Sequence, residues 1–428
     1  MSEEYKLTID WLFNQVPMFQ NVGGDAYKPG LDGVLALSKT FGNPHEKLKS
    51  IHVGGTNGKG SVSSLIASVL QESGMKVGLY TSPHLVDFRE RIRINGTKIP
   101  EDAVVDFINR YRKMDLGLEP SFFELTTVMA FEWFARNEVD LAVVEVGLGG
   151  RLDSTNIIMP VLSIITNISF DHIAQLGDTL EKIASEKAGI IKPGVPVVVG
   201  KAEGDVARVF MKKAEEEGAP LSFASEHKWF DAEHLGNLMK YAGTPWGDVL
   251  CPLTGSCQPE NAATVMDALY ELGGISKEAV RDGFMNVCRN TGLTGRWSIL
   301  QEHPRIICDT GHNKGGWQWL GPQLCAMAAE GRLHVVAGFV NDKDVASIIR
   351  EMPQNASYYW ATPSVKRGRD SSSLMLEAAE AGLNGRAFPT VGEAFRYALS
   401  QAGDEDTIFV GGSTFVVADL LQELGLEC

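Results

Sequence analysis

The sequence predicts an α/β protein with two domains: a larger first domain with a mostly parallel sheet and a smaller second α/β domain. Three observations support this prediction. The chain has 428 residues, and a single hydrophobic core usually stops growing below that length. Its 44% hydrophobic and 22% charged residues are typical of globular α/β proteins. Short β-branched segments alternate with amphipathic segments, as strands and helices do around a parallel sheet.

In the first domain, the pattern predicts strands that alternate with helices. These strands lie at residues 51–53, 77–80, 141–146, 161–165 and 195–199. After Lys59, apolar residues from Val62 to Leu70 recur at the spacing of one helix face. A helix is therefore predicted to begin near Lys59 and to end near Gly74.

The second domain repeats this alternation and predicts a Rossmann-like α/β unit. Its strands are predicted at residues 305–308, 333–340, 357–361 and 407–410, and its helices at 373–381 and 391–398. The segment from Arg289 to Gly295, rich in Asn, Thr and Gly, predicts a link. We therefore predict a first domain of residues 1–296 and a second of residues 297–428.

Charge and cysteine content exclude several classes of protein. A formal net charge of -15 repels nucleic-acid phosphates and anionic membrane surfaces, so neither is expected as a partner. The six cysteines form no C-x-x-C pair, which argues against a zinc site or a disulfide framework. Residues 1–10 are charged where a signal peptide is apolar, and no apolar run reaches the roughly 20 residues of a membrane span. We expect a cytoplasmic protein.

A glycine-rich segment between a predicted strand and a predicted helix is the strongest local signal. Such a loop can hold phosphates with its backbone N–H groups, and Lys59 would reach the terminal phosphates. The candidate ATP contacts are Thr56, Asn57, Gly58, Lys59, Gly60 and Ser61. The segment departs from the general P-loop pattern because Gly60 separates Lys59 from Ser61 and no glycine lies five residues before Gly58. The alternative is a turn without function.

Ser82, Glu145 and His172 each follow or end a predicted strand. Open α/β sheets gather ligand-binding groups at that edge. A hydroxyl, a carboxylate and an imidazole that converge there could hold Mg²⁺. The alternatives are a structural histidine and a buried carboxylate with a structural partner.

Seven segments together resemble one family. They are residues 51–61, 81–92, 145–156, 169–172, 185–192, 258–262 and 309–313. In this order they are similar to the motifs of the folylpolyglutamate synthase/dihydrofolate synthase family, a branch of the Mur ligase superfamily. The resemblance implies a P-loop NTPase-like first domain and an ATP-dependent ligase. Such an enzyme adds L-glutamate to dihydropteroate or a folate through an acyl phosphate and releases ADP and phosphate.

The resemblance also implies roles for single residues. Ser82, Glu145 and His172 would hold Mg²⁺, and a carbamylated Lys187 would help to hold a second metal ion. The alternative for Lys187 is an ordinary surface lysine. Asn261, Arg296 and Asp309 would contact ATP, with Arg296 and Asp309 brought to it by domain closure. Lys59, Lys187 and His312 are the candidate catalytic residues.

The pterin end of the acceptor is assigned less directly. The stretch at residues 27–32 is similar in character to the family's substrate-contacting segment before the loop. The candidate acceptor residues are Gly30, Leu31, Ser121, Phe123, Glu124, Arg151, Leu152 and Asp153. Phe122 and Phe123 could stack on a flat ring, although aromatic pairs at a helix start are more often core residues.

Two other functions stay open. One is a Mur-type ligase for a different carboxylate, although only 53 residues precede Gly54, where a sugar-nucleotide-binding domain would need more. The other is a P-loop nucleotide switch without ligase activity. Within the family, the acceptor can be dihydropteroate, tetrahydrofolate or both. We favour both, and we expect a monomer.

Overall fold

A computed structural model describes residues 2–16, 30–114, 117, 119–341 and 343–426. Two compact units make up the fold. The first comprises Met1–His84, Phe88–Pro252 and Gln258–Leu293, and the second comprises Leu85–Asp87, Leu253–Cys257 and Thr294–Cys428. Within the described residues, no helix is long and apolar enough to cross a membrane.

The first unit contains two sheets and the helices around them. Its strands are β1 (Ser50–Gly54), β2 (Val77–Tyr80), β3 (Ile92–Ile94), β4 (Thr97–Lys98), β5 (Leu141–Glu145), β6 (Leu162–Asn167), β7 (Val197–Lys201), β8 (Leu221–Phe223), β9 (Asp231–Leu235), β10 (Leu238–Thr244) and β11 (Gly247–Cys251). Its helices are α1 (Glu3–Gln15), α2 (Asp32–Thr40), α3 (Lys59–Glu72), α4 (Glu101–Lys113), α5 (Phe122–Arg136), α6 (Ile173–Leu176), α7 (Leu180–Ala188), α8 (Gly204–Glu217), α9 (Gln258–Leu272), α10 (Lys277–Met285) and α11 (Val287–Thr291).

The larger sheet has the order β4-β3-β2-β5-β1-β6-β7-β8. In the part of the chain that the structure describes, all neighbours from β2 to β8 run parallel, and β3 and β4 add two antiparallel strands at one edge. This parallel core contains all five strands predicted for the first domain. The small sheet, in the order β11-β10-β9, is antiparallel.

Helix α3 is more deeply buried than its predicted stripe indicates. Every residue from Gly60 to Leu70 is buried. The reason is that α3 packs against β1, β2 and β5 on one side and against α9, α10 and α11 on the other. Serines at positions 61, 63, 64 and 68 let these neighbours approach closely.

The second unit is a six-stranded sheet with helices around it. Its strands are β12 (Ser298–Glu302), β13 (Arg305–Asp309), β14 (Leu333–Ala337), β15 (Ser357–Ala361), β16 (Gly385–Phe388) and β17 (Thr407–Gly411). Its helices are α12 (Lys314–Glu330), α13 (Val345–Ile349), α14 (Ser371–Glu380), α15 (Val391–Gln401) and α16 (Thr414–Glu423). The order is β12-β13-β17-β14-β15-β16, parallel except for β12. The predicted α/β class with two mostly parallel sheets is confirmed.

Candidate active site

The loop between β1 and α3 passes too close to its neighbours for side chains at two positions. Gly55 and Gly58 have φ angles of +135° and +84°, which favour glycine. A Cβ at Gly55 would overlap Thr166 Oγ1, and one at Gly58 would overlap Asn261 Oδ1. The loop therefore presents bare backbone at the N-terminus of α3, where N–H groups and the helix dipole attract phosphate.

The loop is held by the end of β6. Asn167 Oδ1 accepts from the Asn57 N–H at 3.1 Å, and Asn167 Nδ2 donates to the Asn57 carbonyl at 3.1 Å. The Thr56 N–H donates to the Asn167 carbonyl at 2.9 Å, and Asn57 Nδ2 donates to Ser169 Oγ at 3.2 Å. Asn167 was not among the residues predicted from the sequence, although a polar residue just beyond a predicted strand was a usable signal.

Lys59 lies at the first position of α3 and turns back over the loop. Its Nζ donates to the carbonyl oxygens of Gly55 at 3.2 Å and Thr56 at 3.0 Å. The next turn of α3 is tied to α9, since Gln258 Nε2 donates to Ser61 Oγ at 3.4 Å and Asn261 Nδ2 donates to Gln258 Oε1 at 3.0 Å. The structure thus gathers the predicted first-unit ATP contacts around one loop.

Ser82 and Glu145 meet at the ends of the neighbouring strands β2 and β5. The Ser82 N–H donates to Glu145 Oε2 at 3.0 Å, and Glu145 is buried. A carboxylate beside a hydroxyl-bearing residue suits Mg²⁺, which prefers oxygen ligands. Burial lowers the pKa of the nearby Arg91 to about 10, and the negative charge of Glu145 is the smallest of three influences that oppose this shift.

His172 lies on a separate loop before α6, with a φ of +50°. Its backbone N–H donates to Asp171 Oδ1 at 2.9 Å, and its Nε2 lies 3.8 Å from Asp171 Oδ2. In the part of the chain that the structure describes, no three His, Cys, Asp or Glu side chains form a group that could hold a metal ion. A magnesium site that includes His172 therefore depends on ligands of other types, and it stays a prediction.

Lys187, near the end of α7, is a buried amine rather than a surface lysine. It is 4% exposed, and its Nζ donates to the Gly55 carbonyl at 2.8 Å. Burial, followed by repulsion from Lys59, lowers the pKa of Lys187 to about 7 against the opposing charges of Asp171 and Asp153. A substantial neutral fraction therefore exists at physiological pH, and only a neutral amine can attack carbon dioxide to become carbamylated.

The loop at residues 147–155 is organised by Asp153. This buried carboxylate accepts from the backbone N–H of Leu148 at 2.8 Å and of Thr155 at 3.0 Å. Burial raises the pKa of Asp153 despite these hydrogen bonds. Arg151 is exposed and pairs with Glu186 at 2.8 Å, while Leu152 is half-buried.

Ser121 and Glu124 form a capping box at the start of α5. The Ser121 N–H donates to Glu124 Oε2 at 2.7 Å, and the Glu124 N–H donates to Ser121 Oγ at 3.2 Å. Both residues are buried. Their polar atoms therefore have a structural use, and their predicted contact with the acceptor stays a prediction. The motif S-x-x-E was the available signal for this cap.

The two aromatic residues that follow differ from each other. Phe122 is 3% exposed and belongs to the core. Phe123 is half-buried, its ring stacks on Tyr80 at 5.9 Å, and it fills the space in which Gly147 would carry a Cβ. Gly30 and Leu31 lie at the start of α2, and residues 27–29 lie outside the described residues. Phe123 is thus the aromatic candidate that borders the 147–155 loop.

In the second unit, Asp309 ends β13 and fixes the backbone around it. Its Oδ2 accepts from the Trp297 N–H and its Oδ1 from the Gly311 N–H, each at 2.7 Å. Burial raises the pKa of Asp309, although the Arg296 guanidinium opposes this shift. Trp297 has a φ of +54°, so its N–H bond to the carboxylate supports a strained residue.

Arg296 and His312 lie around Thr310. Arg296 Nη1 donates to the Thr310 hydroxyl and, at 3.1 Å, to the Gly295 carbonyl. His312 Nδ1 lies 3.0 Å from the Thr310 carbonyl and must donate to it, because a carbonyl oxygen only accepts. The structure therefore brings Arg296, Asp309 and His312 together at one strand end.

A glycine-rich loop between a parallel strand and a helix is typical of P-loop proteins. Matches in both units place this one in the Mur ligase class. Residues 53–268 match the Mur ligase middle domain, and residues 295–414 match the Mur ligase glutamate ligase domain.

Individual relatives narrow the class. The dihydrofolate synthase/folylpolyglutamate synthase of Bacillus subtilis is 33% identical, over 93% of this chain and 95% of its own length. Escherichia coli FolC in complex with DHPP and ADP superposes with a TM-score of 0.85 at 30% identity, over 98% of this chain and 97% of that one. A bifunctional folylpolyglutamate synthase/dihydrofolate synthase with Mn, AMPPNP and L-glutamate bound superposes with a TM-score of 0.79 at 30% identity. The superposition covers 94% of this chain and 95% of that one. The chain belongs to the dihydrofolate synthase/folylpolyglutamate synthase family, and it is an ATP-dependent ligase.

Proposed function

We propose that this chain joins L-glutamate to dihydropteroate and to folates, with ATP as the energy source. Family membership supports the reaction class. The observation that carries the proposal is the loop of residues 54–58, which has the bare backbone of a phosphate site and two lysines, Lys59 and Lys187, on its carbonyls.

ATP would bind at this loop, with its phosphates at the N-terminus of α3. The Lys59 ammonium, which now donates to two loop carbonyls, would donate to phosphate oxygens instead. Thr56, Asn57, Gly58, Gly60 and Ser61 complete this contact set, and we assign Asn261, Arg296 and Asp309 to the same ligand. The arrangement favours transfer of the γ-phosphoryl group by charge stabilisation and positioning.

The reaction has two steps. A carboxylate oxygen of the acceptor attacks the γ-phosphorus, and ADP leaves. The amino group of glutamate then attacks the acyl carbon, an amide bond forms, a proton is released and phosphate leaves. The protein must hold both reactants and exclude water from the acyl phosphate. We assign His312 to the catalytic group because its ring is fixed beside Asp309 and Thr310.

Ser82, Glu145 and His172 would hold a divalent metal ion, which supplies charge neutralisation to the phosphates when bound. The hydrogen bond from the Ser82 backbone N–H to Glu145 Oε2 holds these two residues side by side, which fits this role. We further propose that Lys187 is carbamylated: its neutral amine attacks carbon dioxide, a C–N bond forms and a proton leaves. The resulting carboxylate would supply oxygen ligands that an ammonium cannot.

For the acceptor, we assign Gly30, Leu31, Ser121, Phe123, Glu124, Arg151, Leu152 and Asp153. The ring of Phe123 stacks on Tyr80 and borders the 147–155 loop at Gly147, which supports contact with the flat pterin ring of the acceptor there. We assign residues 1–296 to the ATP and acceptor domain and residues 297–428 to the ligase domain. A monomer in the cytoplasm, where ATP is available, completes the proposal.

The test is ADP release by the purified protein with MgATP and L-glutamate, offered dihydropteroate, tetrahydrofolate or no acceptor. We expect release with both acceptors and none when glutamate is omitted, and Lys59→Ala should abolish it. Release with one acceptor assigns the enzyme to that step. Equal release without acceptor or glutamate would instead support a nucleotide switch, and release only with another carboxylate would support a different Mur-type ligase.

A further inference from the structure

A buried chain of hydrogen bonds joins β1 to the loop at residues 147–155. Its members are His52, Thr155 and Asp153, and none is more than 3% exposed. His52 Nε2 lies 2.8 Å from Thr155 Oγ1, and the Thr155 hydroxyl donates to Asp153 Oδ1. Asp153 Oδ2 accepts from the Leu148 N–H at 2.8 Å. This series of hydrogen bonds therefore connects β1, the strand before the phosphate loop, to the backbone of the 147–155 loop.

The direction of these hydrogen bonds follows from counting protons. Both oxygens of Asp153 accept backbone N–H groups, so this carboxylate acts as an acceptor. The single hydrogen of the Thr155 hydroxyl goes to it, and His52 must then donate its own Nε2–H to Thr155. His52 Nδ1 is left as a bare acceptor and indeed has no hydrogen-bond partner. The reverse direction would leave a buried N–H without an acceptor, which is rarer in proteins.

The backbone of His52 is fixed by strand pairing on both sides. It lies in the middle of β1, in register with Val144 of β5 on one side and Ser163 of β6 on the other. Burial, with a smaller contribution from Lys192, lowers the pKa of His52 to about 3, so the ring stays neutral. A neutral donor inside a fully buried strand is costly to bury, and the hydrogen bond to Thr155 offsets part of that cost.

We propose that His52 is a positioning residue for the acceptor substrate: through Thr155 and Asp153 it fixes the 147–155 loop against β1. The inference rests on the proposed function, because it is that proposal which assigns this loop to the acceptor. His52 is fully buried, so it acts through Thr155 and Asp153 and not at the protein surface. It sets the loop conformation that presents Arg151 and Leu152, and it does so independently of the phosphate loop's own hydrogen bonds to Asn167.

The test uses two matched pairs of variants. His52→Gln keeps an N–H donor near the position of Nε2, whereas His52→Asn places its amide near Nδ1 and loses the bond. Thr155→Ser keeps the hydroxyl, and Thr155→Val removes it at nearly constant shape. We expect the two disruptive variants to raise KM for the acceptor about fivefold, as for one lost hydrogen bond, while KM for ATP stays constant.

The double variant His52→Asn/Thr155→Val should be no worse than either single change, because both break the same chain. Additive losses, or equal increases in both KM values, would overturn the inference. Thermal unfolding of each variant excludes simple misfolding.

A second measurement does not depend on turnover, so it separates failure of this inference from failure of the proposed function. The imidazole ¹⁵N signals of His52, assigned by their loss in His52→Gln, should show a neutral ring with the proton on Nε2 between about pH 5 and 8. A ring that titrates in this range, or that carries its proton on Nδ1, would contradict the inference even if the enzyme proved fully active.

Discussion

Burial shifts the pKa of Lys187, in the first unit, and the pKa of Asp309, in the second, in opposite directions. In both cases the shift favours the uncharged form of the side chain. Burial lowers the pKa of Lys187 to about 7 and raises the pKa of Asp309. In each case the main cause is the loss of water around a charge.

The neighbours of the two groups differ. Asp309 receives two backbone N–H groups at 2.7 Å and faces Arg296, an opposite charge. Lys187 donates to one carbonyl at 2.8 Å and faces Lys59, a like charge. Asp309 is therefore built as a fixed acceptor that holds backbone, and Lys187 as an amine available for chemistry. Burial alone does not decide the role of a charged group, because the adjacent charges and donors do.

The largest expected effect is on Lys187. Lys187→Met keeps the length of the side chain and removes the amine, so turnover should fall about 10²- to 10³-fold, as for other lost charge-stabilising groups. Steady-state ADP release at saturating ATP measures this. Wild-type enzyme depleted of carbon dioxide should regain activity on addition of bicarbonate, and native mass spectrometry should show the bound carbon dioxide. A bicarbonate response in Lys187→Met would show that the modification lies elsewhere.

The pH dependence of stability gives the next effect. This prediction is for the unmodified amine, in protein depleted of carbon dioxide. Between the folded pKa of Lys187, about 7, and its unfolded value near 10.4, the unfolded chain binds more protons, so stability rises with pH. The slope from this group is at most about 1.4 kcal/mol per pH unit. Asp309 contributes oppositely in acid: its stabilisation is complete below the unfolded pKa near 3.9 and is lost as pH rises through the raised folded value.

Urea unfolding of wild type and Lys187→Met at several pH values isolates the Lys187 contribution by difference. If the free energy of unfolding depended on pH in the same way in both proteins, burial would not lower the pKa of Lys187.

The third prediction tests Asp309 as a holder of backbone. Asn has one acceptor oxygen, so Asp309→Asn leaves either the Trp297 or the Gly311 N–H without a partner. We expect a loss of about 1–3 kcal/mol in the stability of the second unit, the cost of a buried unsatisfied donor. Urea unfolding followed by tryptophan fluorescence measures it, because four of the eight tryptophans lie in the second unit, at positions 297, 317, 319 and 360. Asp404→Asn, at an exposed carboxylate, is the control and should stay within about 0.5 kcal/mol.

Much of the fold could be predicted because parallel strands are apolar on both faces. Val77–Tyr80 and Ser357–Ala361 were predicted with the bounds that the structure has. An antiparallel strand can lack this apolar pattern, and β9 was therefore not predicted. Every residue of β9, Asp231–Leu235, is exposed. The predicted link at residues 289–295 partly forms α11, because a short helix needs little periodicity.

For the candidate site, the sequence predicted the phosphate loop and the strand ends but not the residues that hold them. Asn167 and His52 act through hydrogen bonds to residues more than 100 positions away. No local pattern encodes such a partner. The burial of Lys187 also followed from tertiary packing, since its helix alone reads as a charged surface helix.

The smallest effect concerns Glu124, a buried carboxylate that resembles Asp309 rather than Lys187 because it accepts a backbone N–H, that of Ser121 at 2.7 Å. If its role is the capping box, Ser121→Ala should cost about 1 kcal/mol of stability, the usual value of an N-cap, with KM for the acceptor unchanged. Glu124→Gln keeps an acceptor oxygen and should cost less. A rise in acceptor KM in Glu124→Gln at constant stability would instead make Glu124 a substrate contact, and buried carboxylates held by backbone would then serve both purposes in this fold.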